Sequence, residues 1–185
     1  MKRCQWAGED PLMQQYHDRE WCVPSRDDRY IFEMLSLEGA QAGLSWKQVL
    51  HKRTAYRTAF HDFDIVRCAN LTDEELSGIK MNHGVIRHMG KLESVRTNAG
   101  AVLEIRKEFG TFAGYLWGYV DHAPIVNRHK TDDDIPASTE LSERLSKDLK
   151  KRGFKFTGPV IIYSFMQAIG MVNDHVEACG CHPGI

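Results

Sequence analysis

Apolar residues along this chain recur mostly at intervals of three and four, the spacing of helices that bury one face. DDRYIFEMLSLEGAQAG (27–43) sets Ile31, Met34, Leu35 and Glu38 at helical spacing, with Gly43 as a stop. LSWKQVLHKRTAYRTAF (44–60) repeats the pattern through Trp46, Val49, Leu50, Tyr56 and Phe60. NLTDEELSGIK (70–80) opens with Thr72 and carries Glu75 three residues later, a capping-box signature. VIRHMGKLESVRTNAGAVLEIRKEF (85–109) reads as a further helix or a pair, loosened at Gly90 and Gly100. ASTELSERLSKDLKKRGF (137–154) is amphipathic, with Leu141, Leu145 and Leu149 on one face and Gly153 past its end. GPVIIYSFMQAIGMVNDHV (158–176) starts with Pro159 in the favoured first-turn position and is apolar nearly all round, so it is expected to be the central core helix. VDHAPIVNRHKTDDDIPAS (120–138) is the one long polar connection. No stretch alternates convincingly as a strand, and no repeat or low-complexity linker interrupts the plan. The pattern predicts an all-α protein, a single domain over residues 1–185 that could be drawn as two helical lobes.

An apolar content of 42% and a charged content of 26% are ordinary for a folded domain and too apolar for disorder. With a net charge of −1 there is no global positive field, so any nucleic-acid binding must come from local basic patches. MKRCQWAGED has no apolar leader, and PVIIYSFMQAIGMV is too short and too interrupted, by Ser164 and Gln167, to span a bilayer. A cytoplasmic protein with no membrane partner is expected. In a reducing compartment the five cysteines are expected as buried thiols or metal ligands rather than disulfides.

Three constellations carry chemistry. His175 and Cys179 lie four apart, on one face if the last helix continues, and Cys4 and His17 could complete a tetrahedral Cys₂His₂ zinc site. Cys22, Cys181 and His182 are close enough in sequence to leave that choice of ligands open. Four protein ligands leave no position for water, which makes such a zinc structural. Secondly, Trp6, Tyr16, Trp21 and Trp46 crowd the N-terminal third around Glu38, a carboxylate on an apolar helix face. Rings and one carboxylate make a receptor for a flat cation, although pattern alone slightly favours an ordinary aromatic core with Glu38 capping or pairing on the surface. Thirdly, TDEELSGIKMNHGVIRHMGKLESV has the layout helix, Gly-containing turn, helix. The second helix is expected near Val85, with Arg87, His88 and Lys91 beside a phosphate-binding N-terminus. Layout alone describes any αα-hairpin. The basic run Lys147, Lys150, Lys151, Arg152 and Lys155 is expected as a solvated helix end.

The blocks RCQWAGEDPL, YHDREWCVP, FEMLSLEGAQAGLSWKQVLHKR, GVIRHMGKL, LKKRGFKFTGPVIIYSFMQAIGMVNDHV and the terminal C-x-C-x-P-G follow one another along essentially the whole chain. In them the sequence closely resembles the 3-methyladenine DNA glycosylase I family. The resemblance implies an all-α helix-hairpin-helix DNA glycosylase fold. It also implies one structural zinc that joins the N- and C-terminal segments through Cys4, His17, His175 and Cys179. It implies that Glu38 and Tyr16 hydrogen-bond an extruded base while Trp46 stacks on it, with Trp6 and Trp21 walling the pocket. The segment Gln41, Ala42, Gly43, Leu44 and Ser45 is similar to the loop that enters the gap left in the duplex, with Leu44 as a wedge. The hairpin around Gly84, with Arg87 and Lys91, resembles the phosphate clamp. Met13 departs from the aromatic expected there in some relatives.

The activity so implied is excision of 3-methyladenine from alkylated double-stranded DNA by a monomer. N3-alkylated adenine is cationic and departs readily as a neutral base, so recognition is the main task. Glu38 is the first catalytic candidate. No lysine declares itself as a Schiff-base nucleophile, so hydrolysis without strand cleavage is expected. The rival is a non-enzymatic, zinc-stapled module that grips damaged DNA, which needs neither a buried carboxylate nor an aromatic cage. A zinc hydrolase would need an open metal position.

Overall fold

Asp10 and Pro11 fix the first helix. The Asp10 carboxylate accepts from the Leu12 and Met13 amides at 3.0 and 3.1 Å, and Pro11 sits where its missing N–H is not needed. Helix α1 therefore runs Pro11–Arg19 in this computed structural model, which describes residues 1–184. Asp27 caps α2 (Asp28–Gln41) in the same way, accepting from the Arg29 amide at 2.8 Å. Every residue of α2 from Ile31 to Ala40 is buried, so α2 lies at the centre of the fold.

The expected single helix over 44–60 is two. Ser45 and Gln48 form a capping box that starts α3 (Trp46–Leu50), and α4 (Arg53–Ala59) follows a break at His51 and Lys52. Both break residues make tertiary contacts: His51 Nε2 lies 2.9 Å from Asp10 Oδ2, and Lys52 Nζ donates to the Gly84 carbonyl at 2.8 Å. Short α5 (Ile65–Ala69) then packs along the later long helix. The Thr72–Glu75 capping box opens α6 (Asp73–Asn82) as the sequence predicts.

The following helix, α7 (Met89–Phe109), begins four residues later than expected. Val85 to His88 stay non-helical, and the His88 ring accepts from the Lys91 amide at 3.2 Å to cap the helix. Gly90 and Gly100 lie inside this one continuous helix. Helix α8 (Phe112–Trp117) is seated on Asp28, whose carboxylate accepts from the Phe112 and Ala113 amides at 3.1 and 2.8 Å.

Helix α9 (Glu140–Lys151) starts at Thr139 and buries Leu145 and Leu149 completely, each contributing about 2 kcal/mol of apolar burial. It packs on α10 (Pro159–Ala168), which in turn lies against α2. Helix α10 is shorter than its apolar pattern suggests and exposes Val160, so the central place belongs to α2. Its end is forced at Gly170, with φ +73°, where a Cβ would fall 2.3 Å from the Pro24 nitrogen and the Val23 carbonyl carbon. The chain then turns into a two-residue strand, β2 (Val172–Asn173), parallel to β1 (Ile125–Val126). That pair is too short for any alternation to announce. The class is mostly helical, and the buried apolar residues form one contiguous cluster from Cys4 to Cys179. No described helix is long and apolar enough to cross a membrane.

Candidate functional site

Helices α1, α2 and α3 converge on one pocket of about 350 Å³. Trp6, Tyr16, Trp21, Glu38, Gln41 and Trp46 line it. Tyr16 and Trp46 lie tilted to each other at a ring distance of 5.1 Å, and Trp6 meets Trp21 edge-on at 4.8 Å. Met13 is buried in the core and is not a lining residue. Glu38 comes from the last turn of α2, is only 4% exposed, and meets no protein hydrogen-bond donor among the described residues. Burial pushes its carboxyl up to about 8, so it is largely protonated at neutral pH until a cation arrives. Burial first, and Glu38 second, raise the Tyr16 phenol well above its ordinary value, which keeps it a donor. The buried indole N–H groups of Trp6 and Trp46 have no acceptor among the described residues. The pocket therefore offers ring faces, the Tyr16 phenol and one uncompensated carboxyl, a set suited to a flat, polar-edged cation.

Asp132, Ile135, Ser164 and Gln167 complete the lining, and the sequence reading did not assign any of them to it. Asp132 is reached because its Oδ2 accepts from the Trp6 amide at 2.7 Å, which folds the long polar connection over the pocket. Ser164 and Gln167 were visible only as the two polar residues interrupting the most apolar helix.

A second groove, of about 850 Å³, lies beside the pocket between α3 and the α6–α7 turn. Leu44, Lys47, His51, Lys52, Gly84 and Arg87 line it, which brings the 41–45 loop and the hairpin onto one face. Leu44 is 38% exposed, high for a leucine, and Gly43 turns the loop with φ +76°. Lys91 departs from expectation. Its side chain is buried, and its ammonium donates to the Ala40 and Ala42 carbonyls at 2.9 and 2.6 Å. It thus seals the C-terminal end of α2, where the helix dipole favours a cation, and does not face the groove as a phosphate contact.

Behind the aromatic wall, Cys4, His17, His175 and Cys179 are all buried, with ligand atoms within 4.8 Å of one another. Cys179 Sγ lies 3.5 Å from His17 Nε2 and 3.4 Å from His175 Nδ1, and Cys4 Sγ lies 3.7 Å from His175 Nδ1. A tetrahedral zinc with arms of about 2.3 Å to sulfur and about 2.0 Å to nitrogen needs ligand atoms roughly 3.3–3.8 Å apart, so the donor set fits. The outer ring nitrogens are also held: His17 Nδ1 is 2.8 Å from Asp18 Oδ1, and His175 Nε2 is 3.3 Å from the Trp21 carbonyl. Such partners orient ligating imidazoles. Burial, then His17, lowers His175 to about 4, which keeps the ring neutral and able to ligate. Residues 174–176 are not helical, so His175 and Cys179 meet through a turn rather than on a helix face. Two of the other candidates point elsewhere: Cys22 Sγ accepts from the Asp174 amide, and His182 Nε2 lies 3.2 Å from the Asn127 carbonyl. Cys181 is only partly buried and falls within 4.8 Å of His17 and Asp18 ligand atoms, outside the fully buried set of four.

The clip and the pocket share a wall. The His175 ring packs edge-on against Trp21 at 4.7 Å, and His17 sits 5.4 Å from Trp6. A family model, methyladenine glycosylase, matches residues 6–182. The chain belongs to the methyladenine glycosylase family. Within that family it is 50% identical to DNA-3-methyladenine glycosylase 1 of Escherichia coli K12, over 100% of this chain and 98% of the relative. It is 46% identical to DNA-3-methyladenine glycosylase of Haemophilus influenzae, covering 97% of each chain. A solved structure of 3-methyladenine DNA glycosylase I from Staphylococcus aureus, concerned with its recognition of 3-methyladenine, superimposes with a TM-score of 0.95. That protein is 35% identical, and the match covers 99% of this chain and 97% of the other.

Proposed function

We infer that this chain is a DNA-3-methyladenine glycosylase, a hydrolase that excises 3-methyladenine from alkylated DNA and leaves an abasic site. The observation that carries the reading is the pocket: an unpartnered carboxyl among aromatic rings, in a family whose relatives bear that name. The N3-alkylated nucleotide is poorly stacked and cationic, so flipping it out costs less than flipping a normal base. In the pocket Trp46 stacks on the base, Tyr16 donates to it, and Glu38 gives up its proton to accept from it as the counter-charge. Trp6 and Trp21 close the walls. Water adds to C1′ as the bond from C1′ to the base nitrogen breaks through an oxocarbenium-like transition state. The base leaves neutral, and the water loses a proton for which Glu38 is the candidate acceptor. No lysine among the described residues lines the pocket, which supports a monofunctional enzyme without a Schiff base or strand cleavage.

The α6–turn–α7 unit serves as a helix-hairpin-helix grip on double-stranded DNA, with Gly84 and Arg87 at the phosphates. Gln41, Gly43 and Leu44 enter the duplex from across the groove. The Cys₂His₂ set holds one structural zinc, since four protein ligands leave no position for a reacting water. The chain works as a single domain, a plan supported by its one continuous core, and as a monomer.

The test is base release. Incubating the protein with alkylated duplex DNA should yield free 3-methyladenine by chromatography, without strand breaks. Glu38→Gln should slow release by roughly thirtyfold, equivalent to about 2 kcal/mol for a hydrogen bond to a charged group. A folded protein that binds the DNA and releases nothing would be a binding module instead.

A further inference from the structure

Asp174 is fully buried, yet four side chains converge on its carboxylate. Asn127 Nδ2 lies 2.7 Å and His129 Nε2 3.0 Å from Oδ1, while Tyr163 OH and Gln167 Nε2 each lie 2.7 Å from Oδ2. A carboxylate that serves this many donors acts as an acceptor, so the Gln167 amide must turn its nitrogen towards it. The hydrogen bond of the amide to Asp174 engages only Nε2, and Oε1 accepts from no described residue. Gln167 lines the pocket together with Glu38 and Ser164. The buried network thus settles an otherwise ambiguous question, which face of a two-faced side chain the pocket receives.

We propose that Gln167 is a specificity-determining residue that accepts from the exocyclic amine of the flipped adenine, and that Asp174 is the positioning residue that keeps Oε1 turned to the base. This rests on the pocket being the base receptor. Adenine and guanine methylated at N3 share the same lesion and the same leaving chemistry. They differ at C6, where adenine carries an amine that donates and guanine an oxygen that accepts, and guanine adds an N1–H and a 2-amino group. A fixed acceptor gains a hydrogen bond from the first and confronts the oxygen of the second. Leaving a buried polar group unpaired in a dry site is worth roughly tenfold or more in discrimination.

DNA treated with dimethyl sulfate contains both 3-methyladenine and 3-methylguanine, so one digest gives the ratio of their release rates. Gln167→Met keeps the side-chain length and removes the acceptor. It should slow 3-methyladenine release roughly tenfold while slowing 3-methylguanine much less, narrowing the ratio by at least about fivefold. Asp174→Asn allows its own amide to donate to Oε1, which turns Gln167 over and presents an N–H to the pocket. That variant should shift the ratio further towards 3-methylguanine. If Asp174→Asn does not fold, Gln167→Met still decides the specificity role, because a purely structural loss lowers both rates together. A Gln167→Met ratio within about twofold of the starting protein, alongside a crippled Glu38→Gln, overturns this proposal and leaves the pocket reading standing. An Asp174→Asn ratio that stays put while Gln167→Met narrows it removes Asp174 from the positioning role. Unchanged release by Glu38→Gln as well would remove both the proposal and the pocket reading.

Discussion

Glu38 is the residue whose environment is most at odds with its chemistry. Burial holds the carboxyl near 8, with no protein donor among the described residues to compensate, while pairing with a cationic purine needs the anion. If Glu38 pairs with the base as proposed, the proton must leave before or as the base enters. Since kcat/KM reports groups of the free enzyme, it should climb roughly tenfold per pH unit below about 8 and level off above it. In Glu38→Gln that limb should flatten. A flat profile for the starting protein between about pH 6 and pH 9 would mean that Glu38 does not meet the base as an anion. Glu38 was legible in the sequence because a carboxylate on an apolar helix face is conspicuous. Gln167 was not, because a glutamine in a buried helix reads as an interruption, and its partner Asp174 lies beyond a turn the pattern did not reveal.

At the level of elements, local chemistry was readable and tertiary chemistry was not. The Thr72–Glu75 box and the Gly153 end of α9 stand where the sequence puts them, because each is written within a few residues. The break between α3 and α4 depends on Asp10 and Gly84, and the end of α10 depends on a backbone contact with Val23 and Pro24, partners far away in sequence. Lys91 shows the same limit: its spacing suggested a phosphate contact, yet it ties the start of α7 to the end of α2. The two roles separate by salt. Arg87→Ala should lower the slope of log affinity against log salt by about 1, as loss of one phosphate contact does. Lys91→Met should leave that slope intact and instead destabilise the fold by about 1–3 kcal/mol, since two carbonyls lose their donor. Equal slopes lost by both variants would return Lys91 to the DNA face.

Across the whole molecule, the two chain ends meet at the Cys/His clip, beside which the Gly180 amide donates to the Lys2 carbonyl at 2.9 Å, and the clip's imidazoles are also the backing of the pocket wall. A bound ion would therefore act on recognition through packing, by holding Trp6 and Trp21 in place, with no part in the bond that breaks. Burial pushes the Cys4 thiol up to about 12, so binding a metal there must displace a proton, and the ion should be lost more readily as pH falls. Equilibrating the protein with a chelator should lower Tm by about 10 °C or more, the shift expected from losing a few kcal/mol of linked binding energy in a chain of this size. Well below that Tm, excision should weaken mainly through a higher KM as the aromatic wall loosens. An unchanged Tm with activity abolished would make the ion a chemical participant. An unchanged Tm with activity intact would leave the four residues as a buried polar cluster that holds the ends together without metal.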